Sequence, residues 1–404
     1  MHPISPGQAG SSATSGNTLK TLAYYAAFII LGLSGAVIGP TLSRLAEQTG
    51  TQLDQISFIF PARAFGYLLG SLLAGRIYDK LSGNRVMAVV MVLMATGLTL
   101  APNIPILWVL TIVLLMVSLG SGALDVGGNT LLVWVHREKV GPFMNGLHFF
   151  FGVGAFLAPV IVAASAAWTG GISWGYWTLA LLALPVILFL ALQPSPAPIL
   201  KTDTGETGRS NPALVVLVAV FFFLYVGAEV GFGDWIFTYA LRLNLADEAQ
   251  AAYLTSAFWG ALTAGRLLAI PIAARFRPRA MLMTDLIGCL VSAGLVLVWP
   301  QSPVVLWIGA AGLGLSMASV FPMMISYAER RMTITGQTTS WFFVGASLGG
   351  MFLPWLIGQF FEPVGPRVTI VMVFIDLILA AVLFFAMTAR ANHPSMVETG
   401  SVDG

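Results

Sequence analysis

Charge is what this 404-residue sequence has least of: 9% of its residues are Asp, Glu, Lys or Arg, against 57% hydrophobic. An ordinary soluble domain carries about a quarter charged residues, so the chain lacks the polar skin that a globule of its length needs in water. Cysteine occurs once, as Cys289 inside an apolar run, which excludes an internal disulfide and leaves the redox compartment unread. The signatures of metal, nucleophilic and nucleotide chemistry are missing too: there is no HExxH, paired-Cys motif, GxSxG or P-loop lysine pattern. These absences argue against an enzyme, and no metal site or cofactor is expected. A net charge of +2 gives no reason to expect nucleic acid as a partner. Residues 1–18, rich in Ser, Gly and Pro, lack a basic start with an apolar core and read as a disordered tail, not a signal peptide.

What the sequence has in abundance is apolar runs of 20 or more residues, each long enough as a helix to cross roughly 30 Å of hydrocarbon. Within lipid a spanning segment must satisfy its own backbone, so these runs are helices. The expected spans are 20–43, 55–78, 85–101, 105–135, 140–166, 174–192, 212–241, 251–275, 280–299, 304–329, 335–361 and 367–390. The 43 glycines and 22 prolines suit membrane helices. The longest polar interruption, 193–211, reads as a cytoplasmic linker between six-helix halves at 19–192 and 212–391, and 392–404 as a disordered tail. The fold expected is an all-α membrane protein of twelve helices.

Basic residues orient it. With the N-terminus inside, cytoplasmic loops and helix ends hold fourteen Lys and Arg, among them Arg76, Lys80, Arg85, Arg137, Lys139, Arg275, Arg277, Arg279, Arg330 and Arg331. The outer side holds only Arg44, Arg242 and Arg367, while Arg63 and Arg266 fall within spans. This bias places both termini in the cytoplasm. The halves also repeat. Gly141 to Pro159 and Gly336 to Pro354 cover eighteen positions each, with Gly154 and Gly349 at the same offset. Duplicated halves put a substrate site at the midplane between them.

After helix 2 the chain reads GRIYDKLSGNR over 75–85, a glycine, an acid and a basic turn, which resembles the major facilitator signature between helices 2 and 3. Three further runs, LDVGGNT at 124–130, GPFMNGLHFFFGVGAFLAP at 141–159 and GAEVGFGDWIFTY at 227–239, look like the sodium-dependent glucose transporter-like branch. That branch is the major facilitator domain-containing 4 group, distantly similar to fucose permeases. The resemblance implies the major facilitator fold, a multi-pass location in a plasma or bacterial inner membrane, and a hexose or related polyol as substrate. In fucose permease-like proteins a helix-4 carboxylate with Asn four residues later occupies the site, which maps to Asp125 and Asn129. Those proteins also carry an Asp in helix 1, where this chain has no acid.

Ionisable groups at membrane depth are costly and mark function. Counted at 1.5 Å per residue, Asp125 lies roughly 15 Å and His148 roughly 12 Å from the cytoplasmic helix ends. Ser121, Asp125 and Asn129 share a face of helix 4, as do Asn145, His148 and Gly152 of helix 5. These stripes read either as a sugar-binding wall or as a packing contact between neighbouring helices. In helix 7, Glu229 reads as a sugar acceptor or as the partner of Arg63, and Asp234 as simply solvated. Gly227, Gly231 and Gly233 predict that helix 7 is irregular there. Trp235, Trp259 and Trp341 are candidate stacking rings. Arg266 and Asp285 read as a structural pair, and Asp376 as structural. Arg76, Asp79, Lys80 and Arg85, with Glu329 and Arg330, are the expected cytoplasmic gate. Asp125 is the expected coupling residue, for sodium or a proton, so the reading is a coupled sugar importer acting as a monomer in the lipid bilayer. A sugar uniporter and an exporter of drugs or metabolites stay open.

Overall fold

A computed structural model describes residues 6–197, 211–334 and 336–390, with side chains at 17–197, 211–334 and 338–389. All regular structure among the described residues is helical. The first half runs α1 (Pro6–Ala36), α2 (Ile38–Thr49), α3 (Leu53–Ile56), α4 (Ile59–Lys80), α5 (Gly83–Leu100), α6 (Leu107–His136), α7 (Val140–Thr169) and α8 (Ser173–Leu192). The second runs α9 (Pro212–Arg242), α10 (Glu248–Ala273), α11 (Pro278–Val298), α12 (Pro303–Met317), α13 (Val320–Glu329), α14 (Gly336–Val364) and α15 (Val368–Arg390). Eleven stretches among the described residues are long and apolar enough to cross a membrane. One of them, Leu107–Thr169, is 63 residues long and contains both α6 and α7, joined by a three-residue 3-10 turn at Arg137–Lys139. α1 begins at Pro6, inside the stretch expected as a tail. Most of the expected linker (198–210) and all of the tail at 392–404 lie outside the described residues.

The helices are apolar outside as well as inside. Val89, Leu188, Val291 and Val382 are each more than half exposed on α5, α8, α11 and α15. In water such a surface would aggregate; against lipid it is matched to its solvent. Inside, glycines bring helices together. A methyl on Gly154 of α7 would overlap the Ile29 carbonyl of α1, and one on Gly349 of α14 would overlap the Phe223 carbonyl of α9. The two glycines at equal offsets therefore do the same job in each half.

Three expected spans differ in detail. The first breaks at Val37 into α1 and α2, and the tenth breaks at Ala318–Ser319 into α12 and α13. The seventh is the correction of most consequence: α9 is one continuous helix despite its glycines. Those glycines serve packing. Gly227 faces Asp376 and the Gly349 carbonyl, Gly231 faces Leu353 and Ile357, and Gly233 lies under the Trp259 ring.

Across the two halves α7 packs on α10, α4 on α14, and α2 on α9. Hydrogen bonds and ion pairs that join the halves gather at the end opposite the basic loops. Arg44 Nη2 lies 2.7 Å from Glu248 Oε1, Arg63 Nη1 3.8 Å from Asp234 Oδ2, and Gln359 Nε2 donates to the Asp54 carbonyl at 2.9 Å and to Ser57 Oγ at 3.0 Å. At the basic end Arg76, Asp79, Lys80, Arg85, Glu329 and Arg330 are all exposed. The bonds that join the halves thus gather at one end, while the charged side chains at the other end stay exposed.

Candidate functional site

The polar side chains of the helix interiors gather midway along α6, α7, α9 and α10, where the two halves face each other, and this region is the candidate chamber. On the first half, Asp125 of α6 is the hub. Asn129, one turn further, donates its amide to Asp125 Oδ1 at 3.0 Å and to the Asp125 carbonyl at 2.9 Å, the i,i+4 geometry that a regular helix dictates. Tyr67 of α4 donates its hydroxyl to the other carboxylate oxygen, Oδ2. α4 reaches α6 this closely because Gly66, Gly70 and Gly122 leave their interface without Cβ atoms. His148 of α7 is exposed in the chamber, within Coulombic range of Asp125, and set edge-on to Phe28 at 6.0 Å. Asn145, one turn nearer the basic end, is exposed. Ser121 is buried and spends its hydroxyl on the Val117 carbonyl at 3.0 Å.

The facing wall comes from α9 and α10. Tyr225 contacts Glu229 Oε2 through its hydroxyl, and the same hydroxyl lies 2.7 Å from the Met317 carbonyl at the end of α12. Arg266 of α10, half-buried, carries its charge within range of both His148 and Tyr225, so it spans the two walls. Gly152 of α7 leaves room for Thr263 of α10, which is where the halves come closest beside the site. Trp259, one turn from Thr263, keeps a buried indole N–H with no acceptor among the described residues.

Several expectations change here. Arg63 pairs with Asp234, not with Glu229, and donates to the Gly35 carbonyl at 3.0 Å. Asp234 is 4% exposed and so belongs to the interface between halves; it is not a solvated carboxylate. Arg266 and Asp285 form no ion pair: Asp285 accepts from Ser319 at the α12–α13 break, and Arg266 turns to the chamber. Trp235 is fully buried, stacked on Phe361 at 4.9 Å with its N–H given to the Pro354 carbonyl at 2.9 Å, so its ring is committed to packing. Trp341, 54% exposed, lies in the second turn of α14, about 8 Å from that helix end and short of Asp125's depth. Of the three tryptophans, Trp259 alone stands beside the polar walls. Asp376 is buried against Gly227 with Oδ2 unpartnered among the described residues, in the helix packing and away from the chamber.

Tyr67 and Thr263 are site residues that the sequence reading did not single out, and Arg266 is one that it read as structural. The second and third had a signal, because Trp259, Thr263 and Arg266 fall on one helical face at steps of four and three. Tyr67 had none, being 58 residues from its partner.

The family profile described as Major Facilitator Superfamily matches residues 24–354. The chain is 33% identical over 376 residues to sodium-dependent glucose transporter 1A of Mus musculus, covering 83% of this chain and 88% of that one. It is 27% identical over 448 residues to major facilitator superfamily domain-containing protein 4A of Mus musculus, covering 86% and 87%. Among solved structures, a mutant of the nucleoside transporter NupG superposes with a TM-score of 0.73 at 16% identity, covering 92% of this chain and 99% of that one.

Proposed function

This chain belongs to the Major Facilitator Superfamily, and from that membership we propose that it carries a hexose or related sugar through a cell membrane by alternating access, coupled to sodium or protons. It is a multi-pass membrane transporter and not an enzyme. Counting α6 and α7 as separate passes gives twelve, which with the basic loops facing the cytoplasm puts both termini there. In that orientation the described state is closed outside by the Arg44, Arg63 and Gln359 contacts and open to the cytoplasm.

The observation that carries the sugar reading is the pair of polar walls. Asp125, Asn129 and His148 from one half face Arg266, Thr263 and Glu229 from the other. A sugar needs hydroxyl partners all round and an apolar face against its C–H groups. Donors and acceptors stand here on both sides, with Trp259 beside them. Binding that draws on both walls is lost when the halves rock apart, so the substrate itself favours the intermediate between open states. The relatives' name, sodium-dependent glucose transporter, points the same way.

For coupling, Asp125 takes donors on both oxygens, from Tyr67 and Asn129, which suits an ionised carboxylate. A second reading assigns coupling to Glu229. The Tyr225 hydroxyl has one hydrogen yet contacts two acceptors, the Glu229 carboxyl and the Met317 carbonyl. That shared hydrogen leaves the Glu229 carboxyl with acceptor capacity for a coupling proton or cation.

The deciding experiment is uptake of radiolabelled glucose and fucose into proteoliposomes under a sodium gradient, a pH gradient or neither, for wild type and Asp125→Asn. Saturable uptake driven by one gradient and lost in the variant is expected. Saturable uptake indifferent to both gradients would make the protein a uniporter. Absence of sugar flux under every condition would overturn the sugar reading and favour an exporter of the same fold.

A further inference from the structure

Away from the chamber, the second half has a cavity of about 870 Å³ at its basic end, bounded by the ends of α9, α11, α13 and α15. Four guanidinium groups line it: Arg277 and Arg279 at the start of α11, Arg330 and Arg331 at the end of α13. Among the described residues no carboxylate lines it, and none of the four arginines enters an ion pair. Topology alone explains why arginines sit on this side of the membrane, but not why four converge on one concavity with no carboxylate among the described residues that line it.

The cavity is also built to hold something polar. Tyr327, 1% exposed, lines it, and its buried hydroxyl has no partner among the described residues. The Arg331 guanidinium lies 3.7 Å over the Tyr327 ring and donates to the Tyr327 carbonyl at 3.2 Å, which fixes that fork in place. Arg277 is the N-cap of α11 and makes no side-chain capping bond, so the first amides of that helix add their positive end to the same space. Leu217 and Met387 form an apolar flank.

We propose that this cavity is a binding site for a phosphate-bearing anion, held by the forks of Arg277, Arg279 and Arg331 and by the Tyr327 hydroxyl. Guanidinium forks match phosphate oxygens two at a time, and several phosphate oxygens are needed to answer four positive charges. Two sources share this chemistry, an anionic phospholipid from the cytoplasmic leaflet and a soluble polyphosphate. The cavity joins the α10–α11 turn to the end of α13, both of which stand at the open end of the described state. An anion bound there ties them together and stabilises the fold.

The test is thermal unfolding of the full chain in detergent, read by a thiol-reactive dye at the single, buried Cys289. Dihexanoyl phosphatidate and pyrophosphate are titrated separately against sodium chloride of equal ionic strength. A saturable rise in the unfolding midpoint with phosphatidate only identifies the lipid source, and with pyrophosphate only the soluble one. Arg277→Gln and Arg331→Gln are expected to weaken the anion on the order of 10-fold or more, and Tyr327→Phe by a smaller factor. Arg275→Gln, equally basic and equally exposed but outside the cavity, should leave binding unchanged. If an arginine variant fails to fold, Tyr327→Phe against Arg275→Gln still decides the matter. No saturable shift with either anion, or a shift that survives Arg277→Gln, Arg331→Gln and Tyr327→Phe alike, would overturn the site.

Discussion

Asp125 and Glu229 are both carboxyls at chamber depth beside a tyrosine, yet their bonding separates them. Asp125 is surrounded by donors, whereas Glu229 shares a single phenol hydrogen with a backbone carbonyl. The difference makes a prediction about Glu229→Gln. A glutamine amide keeps a polar contact with Tyr225, so the fold and sugar binding should persist, but it cannot take up a proton or balance a cation's charge. Counterflow exchange of labelled for unlabelled sugar is then expected at near wild-type rate, with acceleration by a pH gradient lost. Retained pH-driven accumulation in this variant would remove Glu229 from the coupling step. At this scale the sequence was legible where partners lie one helical turn apart, as Asp125 and Asn129 do. It was illegible where the partner came from another helix, as Tyr67 does for Asp125 and Asp234 for Arg63. Trp235 shows the same limit in reverse. Its position on a polar, glycine-rich helix resembled a binding ring, but only the neighbouring Phe361 and Pro354 reveal that both its face and its N–H are taken.

Helix spans could be read from composition because apolar length is a one-dimensional property, and α4, α5, α8 and α11 fall within a few residues of the expected bounds. What composition cannot distinguish is a glycine that loosens a helix from one that admits a neighbour. α9 is the instance: three glycines within seven residues, and a continuous helix. Packing predicts opposite outcomes at two glycine positions of the α9–α14 pair. A methyl at Gly349 would strike the Phe223 backbone carbonyl, which cannot step aside without moving α9. Gly349→Ala should therefore cost about 1–3 kcal/mol, the usual range for forcing volume into a packed core. A methyl at Gly231 would meet only Ile357 Cδ1 and Leu353 side-chain atoms at 3.3 Å, the mobile ends of flexible side chains. Gly231→Ala should be close to neutral. Thermal midpoints in detergent check both, and equal losses at the two positions would mean that helix approach does not limit this interface.

Under the proposed alternating access, the bonds that join the halves at one end and the exposed charges at the other belong to two different states, whose balance rests on different residues in each. The seal of the described state includes Arg63–Asp234, in which both side chains are largely shielded at 17% and 5% exposure. Removing one partner of a buried pair typically costs about 3–5 kcal/mol. Arg63 retains the Gly35 carbonyl, so the lower end applies. Asp79 is exposed and enters no ion pair among the described residues, so its contribution is confined to the opposite state, where the basic ends come together. There it is worth an exposed pair, about 0.2–1 kcal/mol. The two variants must then move the equilibrium in opposite directions and by unequal amounts. With Asn145→Cys as a reporter on the exposed face of α7, and the native Cys289 buried, labelling by an impermeant maleimide in inside-out vesicles reads the population open to the cytoplasm. Asp234→Asn should lower that labelling strongly, and Asp79→Asn should raise it by a few-fold at most. The sites lie at opposite ends of the molecule and share no partner, so their free energies add. The double variant should fall between the singles and nearer to Asp234→Asn. Labelling that moves the same way in both single variants would mean that the two ends are not alternatives, and alternating access about this chamber would fail with it.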